Sequence, residues 1–298
     1  MQIHLITGIS GSGKSVALKA FEDAGYDCVD NLPVPLLEEL ILAMEKEGRE
    51  FVAVAIDARR GQSITELPIL LEKLRANHQV RVLFLNADTN TLVQRFSETR
   101  RRHPLSSSLI SAEQNQSATL IEAIDRERNL LDPLREQAHS IDTSNLPAHA
   151  LRAWIQDLLK DKPVGLTLIL ESFGFKKGVP SEADLVFDVR CLPNPHYDTL
   201  LRPQTGHDEP VKAFLRGIPE VVSMEQDIVQ FIEKWLPRYI ADGRSYLTVA
   251  IGCTGGQHRS VYLVDQLIAH FKQKTDLHAR INLLQRHREL DSGPAKAA

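Results

Sequence analysis

The sequence predicts an α/β protein with two domains, and three observations support this fold class. Short apolar runs typical of buried strands alternate with segments whose apolar residues recur at helical spacing. The first such run leads directly into a glycine-rich turn at residues 8–15. A charged stretch at residues 160–163 ends in a helix-breaking proline and separates two α/β patterns. We therefore predict a first domain over residues 1–160 and a second over residues 165–298.

The first domain is predicted to contain a parallel sheet. Strands are expected at residues 3–7, 51–57, 80–86 and 140–142. Helices are expected at residues 15–24, 33–47, 90–102 and 147–159, and a polar loop at residues 106–117. Because parallel neighbours need long crossover connections, which are usually helices, this alternation indicates a parallel sheet.

The second domain is also predicted to be α/β. Strands are expected at residues 166–170, 184–189 and 246–251, and helices at residues 220–235 and 260–271. The first strand of this half carries no nucleotide-binding pattern. The tail at residues 291–298 is expected to be disordered.

Composition and charge exclude several classes of protein. The chain has 298 residues and a net charge of −4, which argues against a surface coated by nucleic acid but allows a local basic patch. The three cysteines, Cys28, Cys191 and Cys253, lie far apart, so neither a disulfide framework nor a zinc ribbon is expected. No apolar run approaches the ~20 residues of a membrane span, and no basic region precedes an apolar stretch at the start of the chain. We expect a cytoplasmic protein.

The turn after the first strand fits the pattern G-x-x-x-x-G-K-[ST] at every fixed position. Its residues are Gly8, Ile9, Ser10, Gly11, Ser12, Gly13, Lys14 and Ser15, here called the phosphate loop. Glycines let the backbone curl so that its N–H groups point at phosphate oxygens, at the positive end of the following helix. In this pattern the lysine contacts the β- and γ-phosphates, and the serine hydroxyl binds Mg²⁺. The loop predicts nucleoside triphosphate binding, with Lys14 and Ser15 as the residues that act on the phosphates.

A second acidic Mg²⁺ element is expected after a neighbouring strand. Asp57 ends the apolar run at residues 51–57 and is a candidate to hold Mg²⁺ through a water. Asp30 is a competing candidate. Either aspartate could instead be a helix cap or a turn residue.

Basic residues cluster near the end of the third predicted helix, at residues 90–102. They are Arg95, Arg100, Arg101, Arg102 and His103. In small kinases with a phosphate loop, such a segment closes over the nucleotide and presents arginines to the transferred phosphoryl group. The alternative is a solvated helix end that complements the helix dipole.

A second turn, at residues 253–260, fits C-x-x-x-x-x-R-[ST]. It follows a predicted strand and opens a helix, which favours a phosphate or anion site. The same pattern occurs in cysteine-dependent phosphatases, where a thiolate attacks phosphorus and the arginine binds the equatorial oxygens. A buried structural cysteine is the third interpretation. His196, in a proline-framed loop, is either a sugar or phosphate contact or an ordinary turn histidine.

Several longer strings resemble the RNase adapter protein RapZ family of nucleotide-binding proteins. Besides the phosphate loop, they are CVDNLP (28–33), TRRRHPL (99–105), ESFGFK (171–176), FDVR (187–190), LPNPH (192–196) and AIGCTGGQHRSV (250–261). The resemblance covers nearly the whole chain.

The resemblance implies binding and slow hydrolysis of ATP and GTP, with ATP and Mg²⁺ at the phosphate loop. It places a guanine-nucleotide element at Asp57, Ala58, Arg59 and Arg60, where Arg60 replaces the family's asparagine. It implies binding of small regulatory RNA, presentation of that RNA to an endoribonuclease, and assembly into a homo-oligomer. It also implies that the second domain senses an amino-sugar phosphate, glucosamine-6-phosphate. The residues that match this effector pocket are His196, Cys253, Thr254, Gly255, Gly256, Arg259 and Ser260.

Basic residues near the C-terminus are the candidate RNA contacts. They are Lys272, Lys274, Arg280, Arg286 and Arg288, although such a run is also typical of a solvated helix and tail. The family's further basic residues are replaced by ELDSG at residues 289–293, which should weaken phosphate binding. The main alternative function is that of a small-molecule kinase, and a phosphatase acting through Cys253 is a third.

Overall fold

The computed structural model describes residues 1–56, 66–99, 103–105, 116–135, 137–160, 165–274 and 281–291. The chain divides into two compact units, Met1–Leu159 and Lys160–Ala298. Both units are α/β with parallel sheets, as the sequence predicts. Among the described residues, no helix has the length and apolar character needed to span a bilayer.

The first unit contains a five-stranded parallel sheet in the order β2-β3-β1-β4-β5. The strands are β1 (Gln2–Gly8), β2 (Asp27–Leu32), β3 (Phe51–Ile56), β4 (Gln79–Asn86) and β5 (His139–Asp142). The helices are α1 (Lys14–Asp23), α2 (Leu37–Lys46), α3 (Leu67–Arg75), α4 (Thr89–Thr99), α5 (Gln116–Arg135) and α6 (Ala148–Lys160). Strand β1 lies in the centre, between β3 and β4, so the turn that follows it lies at the middle of the sheet edge.

Three features of this unit differ from the sequence prediction. The helix predicted from residue 33 begins with a short 3-10 turn, Val34–Leu36, and α2 follows it. Val34 precedes Pro35, and a residue before proline is disfavoured in the α conformation. Strand β2 and helices α3 and α5 were not predicted. Helix α5 was missed because a polar stretch precedes it, and the predicted loop at residues 106–117 overlaps its first two residues.

The second unit contains a four-stranded parallel sheet in the order β7-β8-β6-β9. Its strands are β6 (Leu166–Gly174), β7 (Leu185–Asp188), β8 (Tyr246–Cys253) and β9 (Ile281–His287). Its helices are α7 (Glu209–Arg216), α8 (Pro219–Ala241), α9 (Arg259–Gln273) and the short α10 (Arg288–Asp291). The predicted strands and helices of this half are present, whereas α7, β9 and α10 were not predicted. All nine residues of β6 are buried, which explains its continuous apolar start.

Candidate functional site

The phosphate loop connects the centre of the first sheet to a helix N-terminus. Strand β1 ends at Gly8 and helix α1 begins at Lys14. A Cβ atom on Gly8 would lie 2.0 Å from the carbonyl oxygen of Leu85, so only glycine fits there. Gly13, directly before α1, has a φ of 106°, which disfavours a side chain. The two glycines thus shape the turn that brings the chain into the first turn of α1, where backbone N–H groups have no helical partner.

A cavity of about 640 Å³ lies against this loop. Its wall includes Arg95, Phe96, Glu98 and Thr99 of α4, residues 10–16, Pro104, Thr143, residues 146–148 and Leu151. This volume is typical of small-molecule and cofactor pockets. The cavity, the helix N-terminus and the lysine of the loop therefore converge on one place.

Three side chains of the loop have geometry suited to phosphate and Mg²⁺. Lys14 Nζ donates to the carbonyl oxygen of Gly8 at 2.6 Å, which holds the ammonium group over the loop. Ser15 is exposed in the first turn of α1, where its hydroxyl is open to a cation. The hydroxyl oxygen of Ser12 is buried and has no hydrogen-bond partner among the described groups. These residues fit a bound triphosphate with its cation.

A buried carboxylate lies beneath the loop, and the sequence prediction missed it. Glu127 of α5 is 1% exposed and accepts hydrogen bonds from Ser10 N at Oε2 and from Ser10 Oγ at Oε1, both 2.8 Å long. His103 Nε2 lies 3.1 Å from Glu127 Oε2. Because the backbone N–H of Leu105 donates to His103 Nδ1, the ring proton lies on Nε2 and is donated to the carboxylate.

The charge of Glu127 is stabilised despite its burial. Burial alone would raise the pKa of Glu127, but hydrogen bonds from His103 and Ser10, with the charge of Lys14, hold that pKa below its ordinary value. The sequence does contain a sign that Glu127 is buried, because this glutamate lies within the apolar stripe of Ala123, Ile124 and Leu131. A charged residue at such a position implies a buried partner.

Among the described residues of the predicted basic cluster, Arg95 lines the cavity. Its Nη1 donates to the carbonyl oxygen of Gly11 and to Thr143 Oγ1, each at 3.1 Å, and its Nη2 donates to Thr143 O at 2.6 Å. Thr143 in turn donates from Oγ1 to Ser12 O at 2.8 Å. Arg95 and Thr143 therefore fix the loop at Gly11 and Ser12. Arg100, Arg101 and Arg102 lie outside the described residues.

The second acidic element is only partly described. Asp57, Ala58, Arg59 and Arg60 lie outside the described residues. The competitor, Asp30, is exposed on β2. Strand β2 pairs with β3 and not with β1, so Asp30 is one strand removed from the strand that leads into the phosphate loop.

The turn at residues 253–260 joins β8 to α9 in the second unit. Cys253 is buried, accepts a hydrogen bond from the backbone N–H of Gly256 at Sγ (3.2 Å), and lies 3.2 Å from Ser260 Oγ. Burial would raise the pKa of the Cys253 thiol, but these hydrogen bonds and the charge of Arg259 hold it below its ordinary value. The ring of His196 lies 6.3 Å from that of His258, so the structure brings the exposed His196 to this turn.

Arg259 is buried in the same turn and forms hydrogen bonds that hold it to the segment at residues 190–192. It is 3% exposed, and its Nη1 donates to the carbonyl oxygens of Arg190 and Leu192 at 2.9 and 2.8 Å. Its Nη2 lies 3.3 Å from Thr254 Oγ1. Its Nε is buried and has no hydrogen-bond partner among the described groups. Most of the N–H donors of Arg259 are therefore used by the protein, and the buried Nε is the nitrogen without a partner among the described groups.

The described members of the predicted RNA contacts differ in their exposure. Lys272 and Lys274, at the end of α9, are exposed. Arg286 and Arg288 are only 3% and 8% exposed, because Arg286 lies in β9 beside β6 and Arg288 Nη1 donates to Gly178 O. Arg280 lies outside the described residues. Of the described residues in this predicted set, the two lysines are the ones that face solvent.

Comparison with known proteins assigns both halves of the chain. The family model of the RapZ-like N-terminal domain matches residues 1–163, and that of the RapZ C-terminal domain matches residues 166–291. A nucleotide-binding protein of Polynucleobacter asymbioticus is 79% identical over 295 residues, 99% of each chain. One of Cupriavidus taiwanensis is 56% identical over 293 residues, 97% of this chain and 99% of the relative.

Among solved structures, two shikimate kinases resemble part of the chain. The enzyme of Bacteroides thetaiotaomicron aligns with a TM-score of 0.37 at 16% identity, over 54% of this chain and 99% of that one. The enzyme of Acinetobacter baumannii, solved with shikimate, aligns with a TM-score of 0.36 at 19% identity, over 54% of this chain and 92% of that one.

Proposed function

This chain belongs to the RapZ family, and we propose from that premise that it is a regulatory protein that binds ATP and GTP and hydrolyses both slowly. The observation that carries the proposal is the phosphate loop, with Lys14 and the N-terminus of α1 beside a cavity of about 640 Å³. Full-length relatives that are described as nucleotide-binding proteins support it.

Different residues of the chain make different contacts with the triphosphate. The backbone N–H groups at the start of α1 bind the phosphate oxygens, and Lys14 exchanges its bond to Gly8 O for the β- and γ-phosphates. Ser15 and Asp57 hold Mg²⁺, which offsets the charge of the phosphates. Arg95 positions the loop. Two of its donors are bound to backbone oxygens and so are not directed at the phosphates, which agrees with slow hydrolysis. The element at Asp57, Ala58, Arg59 and Arg60 contacts the guanine nucleotide.

The second unit is proposed to bind an amino-sugar phosphate, glucosamine-6-phosphate. The turn at residues 253–260 supplies backbone N–H groups at the start of α9, and Arg259 offers its buried Nε to the phosphate. His196 lies beside this turn, and in this proposal it contacts the sugar.

The family also supports an RNA role. We propose that this protein binds small regulatory RNA, presents it to an endoribonuclease, and works as a homo-oligomer in the cytoplasm. Lys272 and Lys274 are the exposed cations that support phosphate contacts.

Calorimetric titration of the full chain with ATP and with GTP, each with Mg²⁺, tests the nucleotide proposal. Lys14→Ala should weaken binding, because charge-assisted contacts of this kind contribute about 1.5–3 kcal/mol. Lys19→Ala is the matched control, since Lys19 is exposed on the same helix. Equal affinities in the wild type and Lys14→Ala would contradict the assignment of the loop.

A further inference from the structure

Two histidines and an aspartate from three separate segments meet in the second unit. His207 lies just before α7, Asp265 lies on α9 and His287 is the last residue of β9. His207 Nδ1 is 2.9 Å from Asp265 Oδ2, and His287 Nε2 is 3.3 Å from Asp265 Oδ1. One ligand atom from each residue lies within 4.8 Å of the others. We call these residues the His–Asp–His cluster.

The cluster has the donor set and the spacing of a transition-metal site. Imidazole nitrogen and carboxylate oxygen bind Zn²⁺ at about 2.0–2.2 Å, which places neighbouring ligands of a tetrahedral ion about 3.4 Å apart. The two nitrogen–oxygen distances in the cluster, 2.9 and 3.3 Å, are close to that separation. These distances end on different oxygens of Asp265, and one donor atom from each residue lies within 4.8 Å of the others. Side-chain rotations would therefore place one donor from each residue around one ion.

The surrounding hydrogen bonds orient His287 as a ligand. Ser172 Oγ lies 2.9 Å from His287 Nδ1, so the hydroxyl can accept a hydrogen bond from Nδ1–H and leave the Nε2 lone pair directed at the cluster. Gln285 Nε2 donates to Asp265 Oδ1 at 2.6 Å and lies 2.8 Å from His287 Nε2. Metal-binding histidines and carboxylates commonly have such outer partners.

His287 Nε2 and Asp265 Oδ1 are two acceptors that lie 3.3 Å apart. With the ring proton on Nδ1, the amide group of Gln285 lies within hydrogen-bond distance of both and can donate one N–H to each. A cation could take the place of this amide because it binds the lone pairs of Nε2 and Oδ1 together.

We propose that His207, Asp265 and His287 bind one divalent transition-metal ion of the Zn²⁺ type, with the remaining position open to water or a small anion. The gradient of burial fits this site: the side chains of His287, Asp265 and His207 are 8%, 16% and 45% exposed. The ion would enter from the side of His207, and the buried pair would exclude water from the other side.

The proposed ion would connect three segments and bear on the turn at residues 253–260. It would link β9, α9 and the segment before α7. Gly206, next to His207, donates its backbone N–H to Gln257 O of that turn at 2.8 Å. Metal bound at His207 would therefore restrain the turn, whether or not the turn binds a sugar phosphate.

Equilibrium dialysis of the untagged full chain against Zn²⁺, after removal of metal by chelator, tests the site. The wild type should retain one equivalent by elemental analysis. His207→Ala and Asp265→Asn should each weaken retention by more than roughly tenfold. The variant His270→Ala is the matched control and should retain the metal. His270 lies outside the cluster and pairs with the carboxylate of Glu233.

Two results would overturn the proposal. The wild type could retain no Zn²⁺ after dialysis, or both variants could retain it as the wild type does, which would place the ion elsewhere, such as on a cysteine. Circular dichroism shows whether each variant is folded, and the half-exposed position of His207 makes His207→Ala the safer substitution. Co²⁺ gives a second readout: its visible absorption should change on binding to the wild type and not to His207→Ala.

Discussion

Both oxygens of the Glu127 carboxylate accept hydrogen bonds from one residue of the phosphate loop, Ser10, at 2.8 Å each. The backbone N–H and the hydroxyl of Ser10 are thereby fixed from below by helix α5. Because His103 also donates to this carboxylate, the loop, α5 and the segment at residues 103–105 form one hydrogen-bonded unit. The shape of the loop is therefore set by a long-range contact as well as by its glycines.

Glu127→Gln should weaken nucleotide binding and lower the free energy of unfolding. A glutamine amide offers one acceptor where the site needs two, so its NH₂ group would face a donor of Ser10 or His103. Leaving buried polar groups unsatisfied costs about 1–3 kcal/mol. Calorimetric titration with ATP and denaturant unfolding measure the two effects. Glu122→Gln, exposed on the same helix, should change neither; unchanged ATP affinity in Glu127→Gln would show that the contact does not shape the loop.

The first unit should lose stability in acid because of His4. Burial, with the charge of Arg81, lowers the pKa of His4 to about 3, whereas the ordinary value is 6.5. Between these values the unfolded chain binds a proton that the folded chain does not. The free energy of unfolding that depends on neutral His4 is therefore fully present above pH 6.5 and is lost as the pH falls. The loss is about 2 kcal/mol from about pH 7 to about pH 5.

The measurement uses the chain's two tryptophans. Trp154 is buried in the first unit and Trp235 lies in the second, so Trp235→Phe leaves a fluorescence reporter for the first unit alone. In that background His4→Phe should reduce the dependence of unfolding free energy on pH, and the exposed His149→Gln should not. An unchanged slope in His4→Phe would contradict the assignment.

The proposed RNA role predicts that RNA affinity depends on salt concentration and that two lysines, Lys272 and Lys274, contribute to this dependence. Each phosphate contact on a single strand contributes a slope near −0.7 in log affinity against log salt. Replacing Lys272 and Lys274 together by alanine should therefore make the slope less steep by up to about 1.4. Fluorescence anisotropy with a short single-stranded RNA at several salt concentrations measures it. Lys19 and Lys46, exposed in the first unit, provide the control pair, and no binding by the wild type at low salt would exclude the role.

The sequence predicted those parts of the site that are local in the chain. The phosphate loop and the turn at residues 253–260 each depend on a strand, a turn and a helix in succession, so their residue types and spacing carry the information. The fold class followed because buried parallel strands are short apolar runs that differ clearly from the helices between them.

The contacts that complete these sites join distant segments, and no local pattern records them. Ser10 and Glu127 are 117 residues apart in sequence. The burial of Arg286 was missed because strand β9, with two basic residues in seven, lacks the apolar run of a buried strand. The His–Asp–His cluster likewise depends on the pairing of β9 with β6, which brings His287 beside Ser172.

The turn at residues 253–260 allows the roles of its cysteine and arginine to be separated. Cys253 lies beneath the turn, where its sulfur accepts from Gly256 N, and a serine hydroxyl can accept the same bond. Cys253→Ser should therefore retain binding of glucosamine-6-phosphate. Arg259→Ala should abolish binding, because it removes the proposed phosphate donor and leaves the carbonyl oxygens of Arg190 and Leu192 without their partner.

Calorimetric titration with glucosamine-6-phosphate compares the two variants, and a chromogenic phosphate ester tests for hydrolysis. Arg259→Lys separates ligand binding from the hydrogen bonds that stabilise the turn. A lysine ammonium can reach one carbonyl oxygen but cannot reproduce the planar set of donors. It should restore part of the stability lost in Arg259→Ala and little of the ligand affinity. If Cys253→Ser instead removed a phosphatase activity that the wild type possessed, the sulfur would be a nucleophile and the turn a catalytic site. Its lowered thiol pKa would then increase the fraction of the reactive thiolate.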